Sequence, residues 1–203
     1  MLEGEIHHED FGGHSGKIGP GDIQWMTAGK GIVHAEMPGS YNETSKGFQL
    51  WINLPSSKKM VDPRYQEHLK KDLPVFTEDG VKVIVVAGQY KGTLGKISPE
   101  STACFYDIHL QPGAEYSQKV FDGWQGLIFP YKGDDCTVNN EHVERDNVAV
   151  FKGNGENITI KNTGDLEMKF IMLYGKPIRE PVAKHGPFVM NTEEEIYNTF
   201  EDY

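Results

Sequence analysis

The sequence predicts an all-β protein built as two tandem antiparallel barrels, followed by a short carboxyl-terminal helix. Glycine (23) and proline (11) are abundant and punctuate short runs of β-branched and aromatic residues, the pattern of many strands joined by tight turns. In the second half such runs recur every 8 to 15 residues or so, with Gly, Pro, Asn and Asp between them. A chain of 203 residues with 37% hydrophobic content can pack one large interior or two small ones.

Residues 1–11 read as a strand entering a turn at Gly12-Gly13. His7, His8 and His14 lie close together, and the simplest account needs no metal: adjacent His7 and His8 face opposite ways in a strand, and His14 is a turn residue. Gly16, Gly19, Pro20 and Gly21 supply turn chemistry before a strand over 23–27, and Gly29 and Gly31 bend the chain into a strand carrying His34-Ala35-Glu36. In that strand Ile32, His34 and Glu36 share one face, which sets an imidazole beside a carboxylate. Residues 48–54 alternate Phe48, Leu50 and Ile52 with Gln49, Trp51 and Asn53, a further strand.

The polar stretch 55–80 holds three prolines and reads as a connector whose His68 is solvated. The expected division is therefore a first barrel over 1–60, a linker over 61–80, a second barrel over 81–180 and a terminal segment with its helix over 181–203. Strands are expected at 81–87, 102–110, 123–131, 137–143, 147–151, 157–161 and 167–173. Thr192 and Glu195 form a capping box, and Ile196 and Phe200 fall four apart, so a helix follows. Trp25, Trp51 and Trp124 are expected in the core.

The formal net charge of −10, with scattered basic residues, excludes direct nucleic-acid binding as the natural role. Cys104 and Cys136 have no close spacing partner and fit reduced thiols in an intracellular protein. No stretch approaches the roughly 20 apolar residues that span a bilayer, and the amino end has no leader pattern.

The segments HHEDFGGHSGKIGPGDIQWMTAGKGIVHAEMP, GFQLWINLPSSKKMVDPRYQE and EPVAKHGPFVMNTEEEI closely resemble the pirin family, two-barrel members of the cupin superfamily. The resemblance implies two jelly-roll barrels and one metal, usually iron, in the first. An early His-x-His pair and a later histidine and glutamate hold it, and the later pair maps onto His34 and Glu36. The strand of the early pair would lie before Met1, so the resemblance implies that the first barrel is incomplete and the chain shortened there and at its carboxyl end, with iron weakly held or absent. Iron in oxygen-activating sites needs three facial donors, and His34 and Glu36 supply two. In the second barrel Tyr116, Ser117 and Gln118 stand where a His-x-His would fall, and His109 and His142 are isolated, so that barrel is expected to be structural.

The resemblance implies two function classes. One is a transcriptional co-regulator of nucleus and cytoplasm that binds a transcription factor or co-activator. The other is an iron-dependent quercetin 2,3-dioxygenase acting on a flavonol, with Glu36 also accepting the substrate hydroxyl proton. An open barrel edge near residues 3–8 would favour self-association.

Overall fold

The computed structural model describes residues 1–151, 153 and 157–202. The chain divides into two compact units: residues 1–70 with 178–203 form unit 1, and residues 71–177 form unit 2.

Unit 1 opens with β1 (Ile6–Asp10), β2 (Ser15–Ile18), β3 (Ile23–Thr27) and β4 (His34–Pro38), and continues with β5 (Arg64–His68). β2, β1 and β4 make a three-stranded antiparallel sheet, and β3 pairs with β5. Unit 2 carries β6 (Val75–Glu78), β7 (Val81–Ala87), β8 (Gln89–Tyr90), β9 (Thr93–Leu94), β10 (Ala103–Leu110), β11 (Glu115–Lys119), β12 (Gln125–Lys132), β13 (Cys136–Val138), β14 (Glu141–Val143), β15 (Ala149–Phe151), β16 (Asn157–Asn162) and β17 (Met168–Gly175). Its two main sheets have the orders β15-β12-β17-β10-β7-β6 and β11-β16-β13-β14. The chain then returns to unit 1 through the β18 (Ala183–His185) and β19 (Phe188–Met190) hairpin and α1 (Glu193–Asp202).

The core of unit 2 follows from alternation. Val81, Val83 and Val85 of β7, Tyr106, Ile108 and Leu110 of β10, and Met168, Phe170 and Met172 of β17 point inward from one sheet. Tyr116, Ile158 and Ile160 enter the same core from the other, as expected of two sheets facing each other across one apolar layer. Cys104 and Cys136 are buried, unbridged thiols, and burial pushes the Cys136 thiol up to about 11.

At the start of α1 the backbone N–H of Glu195 donates to Thr192 Oγ1 at 3.2 Å, and the Glu195 carboxylate accepts from the Thr192 N–H at 2.9 Å. This is the reciprocal capping box of the sequence reading.

Several expectations are corrected. The stretch 61–80 is not a plain connector, because it contains β5 and β6, and His68 lies in β5 opposite Ile23. Residues 48–54 form no strand: alternation is not enough without a partner strand to supply a ladder. The expected strand over 137–143 is a hairpin, β13 and β14, since Asn139 and Asn140 take positive φ values of 49° and 67°, which a turn requires and a strand forbids. Trp51 is 64% exposed, with the Lys184 ammonium 5.5 Å from its ring, a cation resting on an aromatic face. The edge expected open near residues 3–8 is not an edge there, because β1 is the middle strand between β2 and β4 and Glu3 bridges to Lys46.

Candidate metal centre

The three-stranded sheet of unit 1 organises the candidate residues. Residues directly opposite in an antiparallel ladder project to the same side. Asp10 faces His34, and His8 faces Glu36 on one flank and Gly16 on the other. One face therefore carries His34, Glu36, His8 and Asp10, while His7 and Met37 project from the opposite face. The expected pairing of His34 with Glu36 on one face of a strand is present. His34 is half-buried and Glu36 exposed, and the Glu36 carboxylate accepts a hydrogen bond from Gln49 Nε2 at 3.4 Å. Among the described residues no further ligand atom joins these two in a converging group of three.

The converging group joins this sheet to its neighbours: His8 comes from β1, His14 from the β1–β2 turn and Glu67 from β5 of the β3–β5 pair. His8, His14 and Glu67 each direct a ligand atom into a space where all three lie within 4.8 Å of one another. His8 is buried; its Nε2 stands 3.0 Å from Glu67 Oε1 yet makes no hydrogen bond, so the contact is close but misaligned. His14 Nε2 is 3.8 Å from Glu67 Oε2. The β1–β2 turn places His14: its backbone N–H donates to Asp10 Oδ1 at 3.0 Å, and its ring stacks on Tyr65 with centroids 4.3 Å apart. Gln24 Nε2 donates to Glu67 Oε1 at 2.8 Å and orients that carboxylate from the neighbouring strand β3.

Tyr65 ties the two groups electrostatically. Burial, its hydrogen bond to Asp10, and the negative charges of Asp10, Glu67 and Glu36 raise its phenol to about 12. Burial works against the Asp10 carboxylate, but the His14 amide, the Tyr65 hydroxyl and the Gly12 amide together hold it below its ordinary value. On the opposite face His7 Nε2 meets Glu5 Oε1 at 2.5 Å, so adjacent His7 and His8 point apart as a strand demands.

From the sequence alone His7, His8 and His14 suggest a metal site that the simpler strand-and-turn account outweighs. His8 or His14 is then only a substitute ligand that no spacing demands, and Glu67 falls inside a connector. The available signal was short: Tyr65 and Glu67 alternate with Arg64, Gln66 and His68 just after Pro63, a strand pattern inside a polar run. In unit 2 Tyr116 fills the core and hydrogen-bonds Gln118 Oε1 at 3.0 Å. His109 lies 3.3 Å from Asp107 and His142 lies 2.6 Å from Asp135, each beside a carboxylate.

Comparison with known proteins places this architecture. The family model described as Pirin matches residues 1–52, and the Pirin C-terminal cupin domain matches residues 105–203. Human Pirin is 44% identical over 207 residues, spanning 100% of this chain and 71% of that protein. The chain is a member of the pirin family. A pirin-like protein of Solanum lycopersicum is 41% identical over 209 residues, covering 100% of this chain and 70% of its own length. Among solved structures, a quercetin 2,3-dioxygenase from Acinetobacter baumannii superimposes with a TM-score of 0.90 at 33% identity, over 99% of this chain and 71% of that one. The Escherichia coli pirin YhhW, solved with nickel(II), shares the fold with a TM-score of 0.68 at 22% identity, over 87% and 70%. The pirin architecture is thus that of a two-domain cupin.

Proposed function

We propose that this pirin acts as an interaction protein of nucleus and cytoplasm, a transcriptional co-regulator that binds a transcription factor or co-activator, with iron at His34 and Glu36 weakly held. The observation that carries this reading is the donor count on β4. Oxygen-activating iron calls for three facial donors, and the His34 imidazole and Glu36 carboxylate have no third ligand atom converging with them among the described residues. The net charge of −10 supports a protein partner over direct contact with a nucleic-acid backbone.

A second reading is favoured by one observation, the 33% identity and TM-score of 0.90 to the Acinetobacter quercetin 2,3-dioxygenase. In that reading a bound transition metal supplies the electron transfer that dioxygen chemistry requires. The chain's own part is to present His34 and Glu36 on one strand face, with the Glu36 carboxylate positioned to accept a flavonol hydroxyl proton.

Metal analysis of the purified protein, beside a His34→Ala/Glu36→Ala variant, separates the two. The first reading expects iron well below one per chain and no loss of quercetin absorbance above that of the variant. One iron per chain, lost in the variant together with quercetin consumption, would put the oxygenase reading first. Proximity labelling in cells tests the partner: recovery of transcription factors or co-activators is expected, and their absence would remove the co-regulator role.

A further inference from the structure

We propose that His8, His14 and Glu67 form a cation site of their own, taking a divalent first-row transition ion of the zinc or nickel class independently of His34 and Glu36. The proposal does not rest on the co-regulator or oxygenase reading, since it uses neither residue of the β4 pair.

Four observations carry it. The first is the donor set: two imidazoles and one carboxylate, the combination that binds borderline ions with a coordination position left open. Three ligand atoms around an ion at about 2.0–2.1 Å lie roughly 3.4 Å apart in tetrahedral geometry. His8 Nε2 stands 3.0 Å from Glu67 Oε1 and His14 Nε2 stands 3.8 Å from Glu67 Oε2, so each imidazole lies near that spacing from one of the two carboxylate oxygens.

The second is an unmet need. His8 Nε2 is a buried polar atom without a hydrogen-bond partner, and the His8 side chain is only 3% exposed. A buried ring nitrogen left in this state costs free energy unless something coordinates it. The third is a cradle. A Cβ on Gly16 would stand 2.6 Å from His8 Nε2 and 3.7 Å from Glu67 Oε2, so the absence of a side chain at that point of β2 keeps open the space onto which both donors face. The fourth is the set of supports that fix the donors, as an outer shell does around a bound ion. Gln24 holds the Glu67 carboxylate, Asp10 holds the His14 backbone, and the Tyr65 ring lies flat against His14 at an interplanar angle of 12°. His14 and Glu67 remain about a third exposed, which gives an ion its entry path and leaves its open side toward solvent.

The test is calorimetric titration of Zn²⁺ into the chelator-stripped 203-residue protein, with four variants beside the wild type. Glu67→Gln keeps the shape and the Gln24 contact but removes the charge; His14→Ala removes a partly exposed ring; Gly16→Ala fills the cradle; His34→Ala/Glu36→Ala leaves the set intact. One zinc per chain is expected in wild type and in the β4 double variant. Binding should weaken by at least about 10 to 100-fold in Glu67→Gln and in His14→Ala, with the far-ultraviolet circular dichroism unchanged. Gly16→Ala, folded by the same criterion, should bind as poorly. Equal zinc affinity in wild type, Glu67→Gln and His14→Ala would overturn the proposal. So would binding abolished in the His34→Ala/Glu36→Ala protein and retained in Glu67→Gln, which would assign the ion to β4.

Discussion

Unit 2 buries Val83, Val85, Tyr106, Ile108, Leu110, Phe170 and Met172 almost completely, whereas the buried residues of unit 1, among those described, are His8, Thr27, Lys59 and Ile196. One unit is held by a continuous apolar layer between two sheets. The other hides a histidine, a hydroxyl and a lysine, and its ladders are short. Burial of apolar area is the main favourable term in folding, so unit 2 is the stable scaffold. Unit 1 spends its interior on polar groups that need partners, which is the condition under which chemistry is found. The converging ligand atoms lie in unit 1, and the place where the family pattern would put a His-x-His in unit 2 is occupied by the core residue Tyr116.

The sharpest way to break this contrast is to remove one large apolar side chain from each unit. Phe170→Ala should cost about 3–5 kcal/mol, and Ile196→Ala should fall at or below the low end of the roughly 2–5 kcal/mol range for aliphatic truncation. Urea unfolding followed by tryptophan fluorescence checks this, with Trp124 reporting unit 2 and Trp25 and Trp51 reporting unit 1. Equal costs would mean that unit 1 has an apolar interior after all.

A smaller effect is expected at Lys59. Its ammonium donates to Asn53 Oδ1; burial pushes its pKa down, while the charges of Glu180 and Glu195 push it up. Lys59→Met takes the donor from Asn53 and the cation from the two carboxylates, and should destabilise unit 1 by about 1–3 kcal/mol. A neutral or stabilising result, in the same unfolding assay, would show the buried lysine to be replaceable by packing alone.

The smallest expected effect is a pH dependence from Tyr65. Its phenol titrates near 12 when folded against an ordinary value of 10.0. The folded state therefore favours the neutral phenol, and the resulting stability is complete below pH 10 and is lost as pH rises from 10 to 12. Thermal unfolding measured across that window should show a loss of stability in wild type that is shallower in Tyr65→Phe. Identical slopes would separate Tyr65 from the electrostatics of the site.

The same contrast explains what could be read in advance. The strands of unit 2 were legible because alternation and burial coincide along them: 81–87 is recovered at both ends, and 102–110 differs by one residue at its start. The 137–143 segment misled because an Asn-Asn turn carries no glycine or proline to mark it. In unit 1 the local pattern of 23–27 and of His34 with Glu36 was clear, since each is a property of one strand. Glu67 was not, because its meaning comes from lying near His8 and His14, far earlier in the chain, and no periodicity encodes a tertiary meeting. The polarity that makes 55–80 look like a linker is what a strand at a polar site requires.

The chain order of unit 1 has a consequence for biosynthesis. The Glu180 carboxylate accepts from the Ser56 backbone N–H across 124 residues, and α1, with its buried Ile196, also follows unit 2 in the chain. On the ribosome the entire unit 2 segment is synthesised before those closing pieces emerge. The apolar scaffold can therefore assemble while the metal-ligand candidates of β1, β4 and β5 wait in a half-made unit. The time taken to translate the unit 2 segment then sets how long those histidines and carboxylates stay open to cellular metal before the β18–β19 hairpin and α1 join the unit.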